Sequence, residues 1–265
     1  MKFQPASGSF SDAQAYENFM GAWSQEAGRA FLHWLNLPAS TAPLLEIGCG
    51  GGAFTELLQA AQPGAPLTAL DVAPAQLALA RERCPGVDFL EADAHCLPLA
   101  DGAFQAVFLP LVLVFFNDSE QVLREALRVS RPGATIAAYI WDLPTGFPYF
   151  TISEALRALD LLPGPKMPAA NPSNLDALEA LWAATGLVDC RSVAFRVEQT
   201  YPRLESYWAQ AEQGEYLGQR LRSLSPTERQ AVWQQLERAL APSSTDLRLR
   251  VPARVHCISG RVPER

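Results

Sequence analysis

The sequence is poor in metal-holding residues, with three histidines and five cysteines in 265 residues. An odd number of cysteines without paired spacing argues against a disulfide framework and suits a reducing compartment. No cysteine or histidine lies near Cys49, so a metal site is not expected. No apolar run is long enough to cross a bilayer, and Met1-Lys2-Phe3-Gln4-Pro5 lacks the apolar core of a signal peptide. A soluble cytoplasmic protein without a membrane span is therefore expected. Positive charge is also scarce: 21 Lys and Arg stand against 28 Asp and Glu, a net charge of -7. That balance argues against nucleic-acid phosphates as the partner, leaving only a local basic patch open. There is no internal repeat and no low-complexity tract. A 49% hydrophobic content does suffice for one substantial core with a modest cap.

The most informative segment is Leu44-Leu45-Glu46-Ile47-Gly48-Cys49-Gly50-Gly51-Gly52-Ala53-Phe54-Thr55. Its apolar run reads as a buried parallel strand. The glycines allow a sharp turn with no side chains between backbone and ligand. A helix starting near Ala53 would point its free N–H groups and positive dipole end into the same crevice. Such a turn holds a nucleoside-type cofactor. Gly48-Cys49-Gly50-Gly51-Gly52-Ala53 also fits the G-x-G-x-x-A dinucleotide fingerprint, so the glycines alone leave the cofactor open. Asp71 ends the next strand, placed to accept both hydroxyls of a ribose. Asp93-Ala94 follows a third strand, and Arg128-Val129-Ser130-Arg131-Pro132-Gly133 joins a helix to an apolar strand.

This ordered set resembles the class I S-adenosylmethionine-dependent methyltransferases, nearest to the ubiquinone/menaquinone C-methyltransferase-like branch. The matches are Glu-x-Gly-x-Gly-x-Gly at residues 46–52, Asp71, Asp93-Ala94 with Leu97-Pro98, and the Arg-Val-x-x-Pro-Gly turn. The likeness extends from Tyr16 and Trp23 to Gly260-Arg261-Val262-Pro263.

Strand and helix signals alternate as in a doubly wound α/β sheet. Strands are predicted at residues 44–47, 67–71, 87–91, 104–109 and 134–140, with helices near 53–61, 74–84 and 119–130. Asp118 or Ser119 should cap the last of these helices, and Pro74 suits a first helical turn. The resemblance implies a Rossmann-like seven-stranded sheet of order 3-2-1-4-5-7-6 with strand 7 antiparallel and a helical cap. Beyond Trp141 the rhythm breaks. A short helix is predicted over 152–162, a proline-rich loop to 172, and a helix over 175–185 stopped by Gly186. One irregular strand is expected from 188–192 and 195–198, a largely helical insert over 204–240, and a last strand within 247–259. The chain thus divides into an N-terminal helical lid (10–37), a core (43–141, 174–198 and 247–259) and cap segments (142–173 and 200–242). The lid and cap aromatics could close over a ligand, or simply pack the insert against the sheet.

The resemblance implies S-adenosyl-L-methionine as cofactor, and an acid-rich site suits a ligand without phosphates. Asp71 would bind the ribose diol and Asp93 the adenine amino group, with the Ala94 amide nearby. Glu46 would orient the turn of Gly48 and Gly50, Val72 would pack on adenine, and the strand end from Leu109 would pass the methionine part. Asp71 and Asp93 could instead be ordinary strand-end acids that cap their turns. No catalytic residue is assigned. His33 and His256 read as structural, and His95, next to the Asp93-Ala94 pair, is the nearest candidate. Strand four departs from the family at Gln105, where aspartate is common, and in its apolar end from Leu109 to Phe116. That end suggests a greasy pocket for a small aromatic, polyketide or quinone-like acceptor and no strong built-in base. Methyl transfer to such an acceptor is one reading; binding the cofactor without methyl transfer is the other. Oligomeric state is not legible.

Overall fold

The computed structural model describes residues 12–162, 172, 174–240 and 248–264. The chain opens with a helix of three parts: α1 (Ala13–Tyr16), a π-helical turn (Glu17–Gly21) and α2 (Ala22–Leu35). Asp12 caps α1 by accepting from the Ala15 amide at 2.9 Å, and α2 ends at Asn36 in the left-handed conformation. Then β1 (Leu44–Ile47), α3 (Ala53–Ala61), β2 (Leu67–Asp71), α4 (Pro74–Arg83), β3 (Asp88–Glu91) and β4 (Phe104–Pro110) alternate. After a short 3-10 turn come α5 (Ser119–Val129) and β5 (Ser130–Trp141). Asp118 is the cap of α5, accepting from the Gln121 amide at 2.9 Å.

All five of these strands pair in parallel; the sheet is completed by β6 (Val188–Tyr201) and β7 (Leu249–Arg261), giving the order 3-2-1-4-5-7-6 with β7 antiparallel to both neighbours. Every residue of β1 is buried, as expected for a central strand covered on both faces. Helices α6 (Phe150–Ala158) and α7 (Leu175–Ala183) precede β6, and α8 (Leu204–Ala211), α9 (Glu215–Arg222) and α10 (Pro226–Ala239) precede β7. Among the described residues no helix is long and apolar enough to cross a membrane.

Two large cores flank the sheet. One side of β4 and β5, with Phe108, Tyr139 and Trp141, packs on Trp23 and Phe31 of α2 and on Tyr207 and Trp208 of α8. The other, with Val107, Ile136 and Ile140, packs on Leu123 of α5 and on Leu178 and Trp182 of α7. The insert is tied to the N-terminal helix by aromatics: Tyr149 stacks between Phe19 (4.5 Å) and Tyr207 (5.5 Å), and Trp23 donates to the Tyr201 hydroxyl at 3.0 Å.

Several boundaries differ from expectation. The Arg131-Pro132-Gly133 turn is absorbed into β5, which starts at Ser130. The irregular strand is one strand of 14 residues, paired with β7 to Tyr201, and β7 itself continues to Arg261. The short helix lies earlier, at Phe150–Ala158. The proline-rich loop falls mostly outside the described residues.

Candidate functional site

Strand order reverses between β1 and β4, which opens a crevice at the carboxyl ends of the strands. The glycine turn lines it. Gly48, Gly50 and Gly52 have φ of 78, 51 and 83°, the left-handed region that glycine enters without steric cost. Gly48 and Cys49 both donate to the Leu70 carbonyl, at 2.8 and 3.0 Å, which pins the turn to β2. A Cβ on Gly48 would collide with Val112, and one on Gly52 would lie 3.2 Å from the Ala80 Cα. The space beside Gly50 is open apart from the Gln76 Oε1 at 3.9 Å.

Asp71 reaches back to the turn. Its Oδ2 accepts from the Gly50 amide and its Oδ1 from the Ala73 amide, both at 2.9 Å. Burial raises its pKa, and these backbone bonds oppose the rise. The strand-end capping role weighed against ligand binding is thus real, but each oxygen keeps a lone pair for a further donor. Glu46 is fully buried in β1, and neither carboxylate oxygen has a hydrogen-bond partner. Burial pushes its pKa up to about 8; the Thr55 hydroxyl opposes that shift without closing a hydrogen bond, and Asp71 adds to it. The Gln76 amide is also buried and unpartnered, against Gly50 and Gly51.

Further along, Asp93 accepts from both the His95 amide (2.9 Å) and the His95 Nδ1 (2.7 Å). Partial burial would raise its pKa, but the bonds from His95 outweigh it and hold the carboxyl below the usual range. Ala94 is buried beside it, whereas Val72, next to Asp71, is 43% exposed and so available to a planar ligand. His95 meets the edge of Phe116, with ring centroids 5.5 Å apart. The Leu109 side chain is fully buried in the sheet core, so this position can meet a ligand only through its backbone.

The apolar end of strand four is less of a pocket wall than its sequence suggests. Leu113 and Phe116 join Leu109 in the core, leaving Leu111, Val112 and Phe115 partly exposed. Leu111 takes a φ of 55° while donating to the Tyr139 carbonyl at 2.8 Å. A left-handed leucine is strained, and such strain gathers at functional sites.

The N-terminal helix is tied to the glycine turn through Arg83, which bonds both Glu17 and the Gly51 carbonyl. Tyr16 is half-buried there; burial together with the charges of Asp71 and Glu17 pushes its hydroxyl up to about 12. Glu17 pairs with Arg83 of α4, at 2.5 Å to Nη2 and 3.2 Å to Nη1. Arg83, Glu17 and Gln76 carry no motif signal, because helix residues reach the turn only once the fold is made.

The other two histidines, His33 and His256, lie on α2 and β7. His256 is buried on β7, 3.9 Å from the Asp142 carboxylate, which also accepts from Thr145 at 2.6 Å and faces Arg254 at 3.4 Å. Burial lowers the pKa of His256.

Residues 45–138 match a protein family described as "Methyltransferase domain". The chain is 32% identical to a demethylmenaquinone methyltransferase of Renibacterium salmoninarum, over 49% of this chain and 54% of that one. It is 33% identical to a malonyl-[acyl-carrier protein] O-methyltransferase of Methylococcus capsulatus, over 49% of this chain and 48% of that one. The chain thus spans about half the length of these curated relatives. A solved structure of Haemonchus contortus phosphoethanolamine N-methyltransferase 2 in complex with S-adenosyl-L-methionine has the same fold. Its TM-score is 0.58 at 18% identity, covering 99% of this chain and 62% of that one.

Proposed function

We propose, since this chain carries the domain and fold of the class I S-adenosylmethionine-dependent methyltransferases, that it transfers a methyl group from that cofactor to a small apolar or aromatic acceptor. The observation that carries the reading is the acidic lining of the glycine turn. Glu46 lies buried with both oxygens unpartnered, and Asp71 holds Gly50 in its left-handed conformation. Such a lining suits a cationic ligand without phosphates and disfavours a dinucleotide, whose pyrophosphate it would repel. The residues therefore fit the group.

When bound, S-adenosylmethionine supplies a methyl group on a sulfonium, which is already a strong electrophile. The protein's part is binding, orientation and exclusion of water. Asp71 would accept from the ribose hydroxyls with its remaining lone pairs, and Asp93, fixed by His95, from the adenine amino group beside Ala94. Val72 would cover adenine. Glu46 would sit beneath the turn of Gly48 and Gly50 as a counter-charge. The backbone from Leu109 to Leu111 would border the methionine part.

The described parts of the lid and cap assigned from the sequence, within residues 10–37, 142–173 and 200–242, would exclude water from above. The aromatic contacts of Phe19, Tyr149 and Tyr207 support this, since they join lid to cap. Leu111, Val112 and Phe115 leave an apolar approach at the end of β4 and no side chain that would serve as a strong base. An acceptor acidic enough to react once oriented, such as a phenol or a quinone-like ring, fits that surface best.

Incubation with methyl-labelled S-adenosylmethionine and a panel of phenols, quinones and amines tests the proposal. Label should pass to the phenolic or quinone-like members. Tight cofactor binding with no transfer to any of the three classes would point instead to a protein that binds the cofactor without methylating.

A further inference from the structure

We propose that Arg83 is a positioning residue that latches the N-terminal segment onto the glycine turn through Glu17, so that bound cofactor leaves only when this pair opens. The inference rests on the cofactor reading above and adds a control over its release. Three observations carry it.

The first is that one guanidinium holds both parts. Arg83 Nη1 donates to the Gly51 carbonyl at 2.9 Å and to Glu17 Oε2 at 3.2 Å, while Nη2 donates to Glu17 Oε1 at 2.5 Å. This is a two-pronged arginine–carboxylate pair, the geometry in which such bonds are strong and directional. Both side chains are about four-fifths buried, at 18% and 20% exposure, so solvent and salt weaken the pair less than a surface one. The other nearby acid, Glu56, accepts from Gln25 at 3.0 Å, so the two fixed acceptors of Arg83 are the turn and the N-terminal segment.

The second is that the helix is built to present Glu17. Residues 17–21 form a π-helical turn, a distortion that recurs at functional sites. The Glu17 side chain folds back across Gly21, where a Cβ would collide with its carboxylate. Glycine in a helix costs stability, and here its missing side chain is what gives Glu17 its path to Arg83.

The third is where the latched segment sits. Tyr16, the residue before Glu17, lies within electrostatic reach of Asp71, and α1 packs on α4, the helix that carries Arg83. The segment is therefore fastened to the loop whose Gly51 carbonyl Arg83 also holds. Opening one requires releasing the other.

Glu17→Gln, Arg83→Met and Gly21→Ala test the latch by three routes: loss of charge, loss of the guanidinium, and displacement of Glu17 by a residue that favours helix. Two readouts are taken on the full chain. Hydrogen exchange over residues 12–21 of the ligand-free protein should accelerate in all three variants, with little change in the central strands. Dissociation of labelled S-adenosylhomocysteine, followed by chase, should be faster by about five- to twentyfold in each. The Glu17→Gln/Arg83→Met double variant should release no faster than the worse single one, since both act on one interaction. Unchanged exchange together with an unchanged dissociation rate overturns the latch, as do effects that simply add in the double variant. If the unaltered protein fails to bind S-adenosylhomocysteine, the cofactor reading falls, and the exchange measurement still decides whether Arg83 fastens the segment.

Discussion

Asp71→Ala is expected to weaken binding of S-adenosylhomocysteine by about 1.5–3 kcal/mol, roughly ten- to 150-fold. Two effects combine in that loss. The carboxylate would accept charge-assisted bonds from the ribose hydroxyls, and it already holds the Gly50 and Ala73 amides at 2.9 Å. Alanine removes the ligand's partner and frees Gly50 to leave the conformation that shapes the turn. Asn in the same place keeps one acceptor oxygen, so Asp71→Asn should fall between the two. The fold should persist in both, since the residue closes a strand end and the core lies beneath it. Isothermal calorimetry on the three proteins makes the comparison. Equal affinity in the alanine variant would remove Asp71 from the binding site.

The second large effect is on stability and depends on pH. Glu46 ionises at about 8 in the folded protein because burial disfavours its charge. Unfolded, it ionises near the usual value of 4.5. Below that value both states carry the proton and the group contributes no pH dependence. Between the two values the native state retains a proton that the unfolded chain has lost, so stability falls as pH rises through this window and levels off above it. Glu46→Gln cannot ionise and should lack that part of the decline. Between pH 5 and pH 8 the unaltered protein should lose on the order of 2–4 kcal/mol more than the variant in denaturant unfolding. Parallel stability profiles would mean that Glu46 is not held protonated in the folded chain. A cation bound above the turn would reverse the preference, so the same carboxyl that weakens the ligand-free protein would favour a sulfonium and ammonium ligand.

The parts of the site carried by local spacing could be read from the sequence. Glu46, the glycine turn and Asp71 lie where strand, turn and strand end must put them: Glu46 buried in β1, the turn after it, and Asp71 at the end of β2 bonded to Gly50. The sheet order came from family resemblance, because the pairing of β4 beside β1 leaves no trace in hydrophobic periodicity. Strand β6 was underread for a physical reason. It is an edge strand, mostly exposed over residues 188–195, and the register with β7 alone carries it on to Tyr201. The apolar end of strand four was overread: Leu109, Leu113 and Phe116 serve the core, a use that composition cannot separate from a pocket wall. Arg83 and Gln76 were invisible because α4 presents them to the turn only after it packs on β2. No local signal foretells the π-helical turn or the left-handed Leu111, whose amide is bonded to the Tyr139 carbonyl across the sheet.

The central claim is that the crevice over the glycine turn receives S-adenosylmethionine rather than a dinucleotide. Calorimetric titration of the purified protein with S-adenosylmethionine, S-adenosylhomocysteine and NAD tests this most directly. The two adenosyl ligands should bind with one site per chain and NAD should give no saturable heat. Saturable binding of NAD with no heat from either adenosyl ligand would contradict the account.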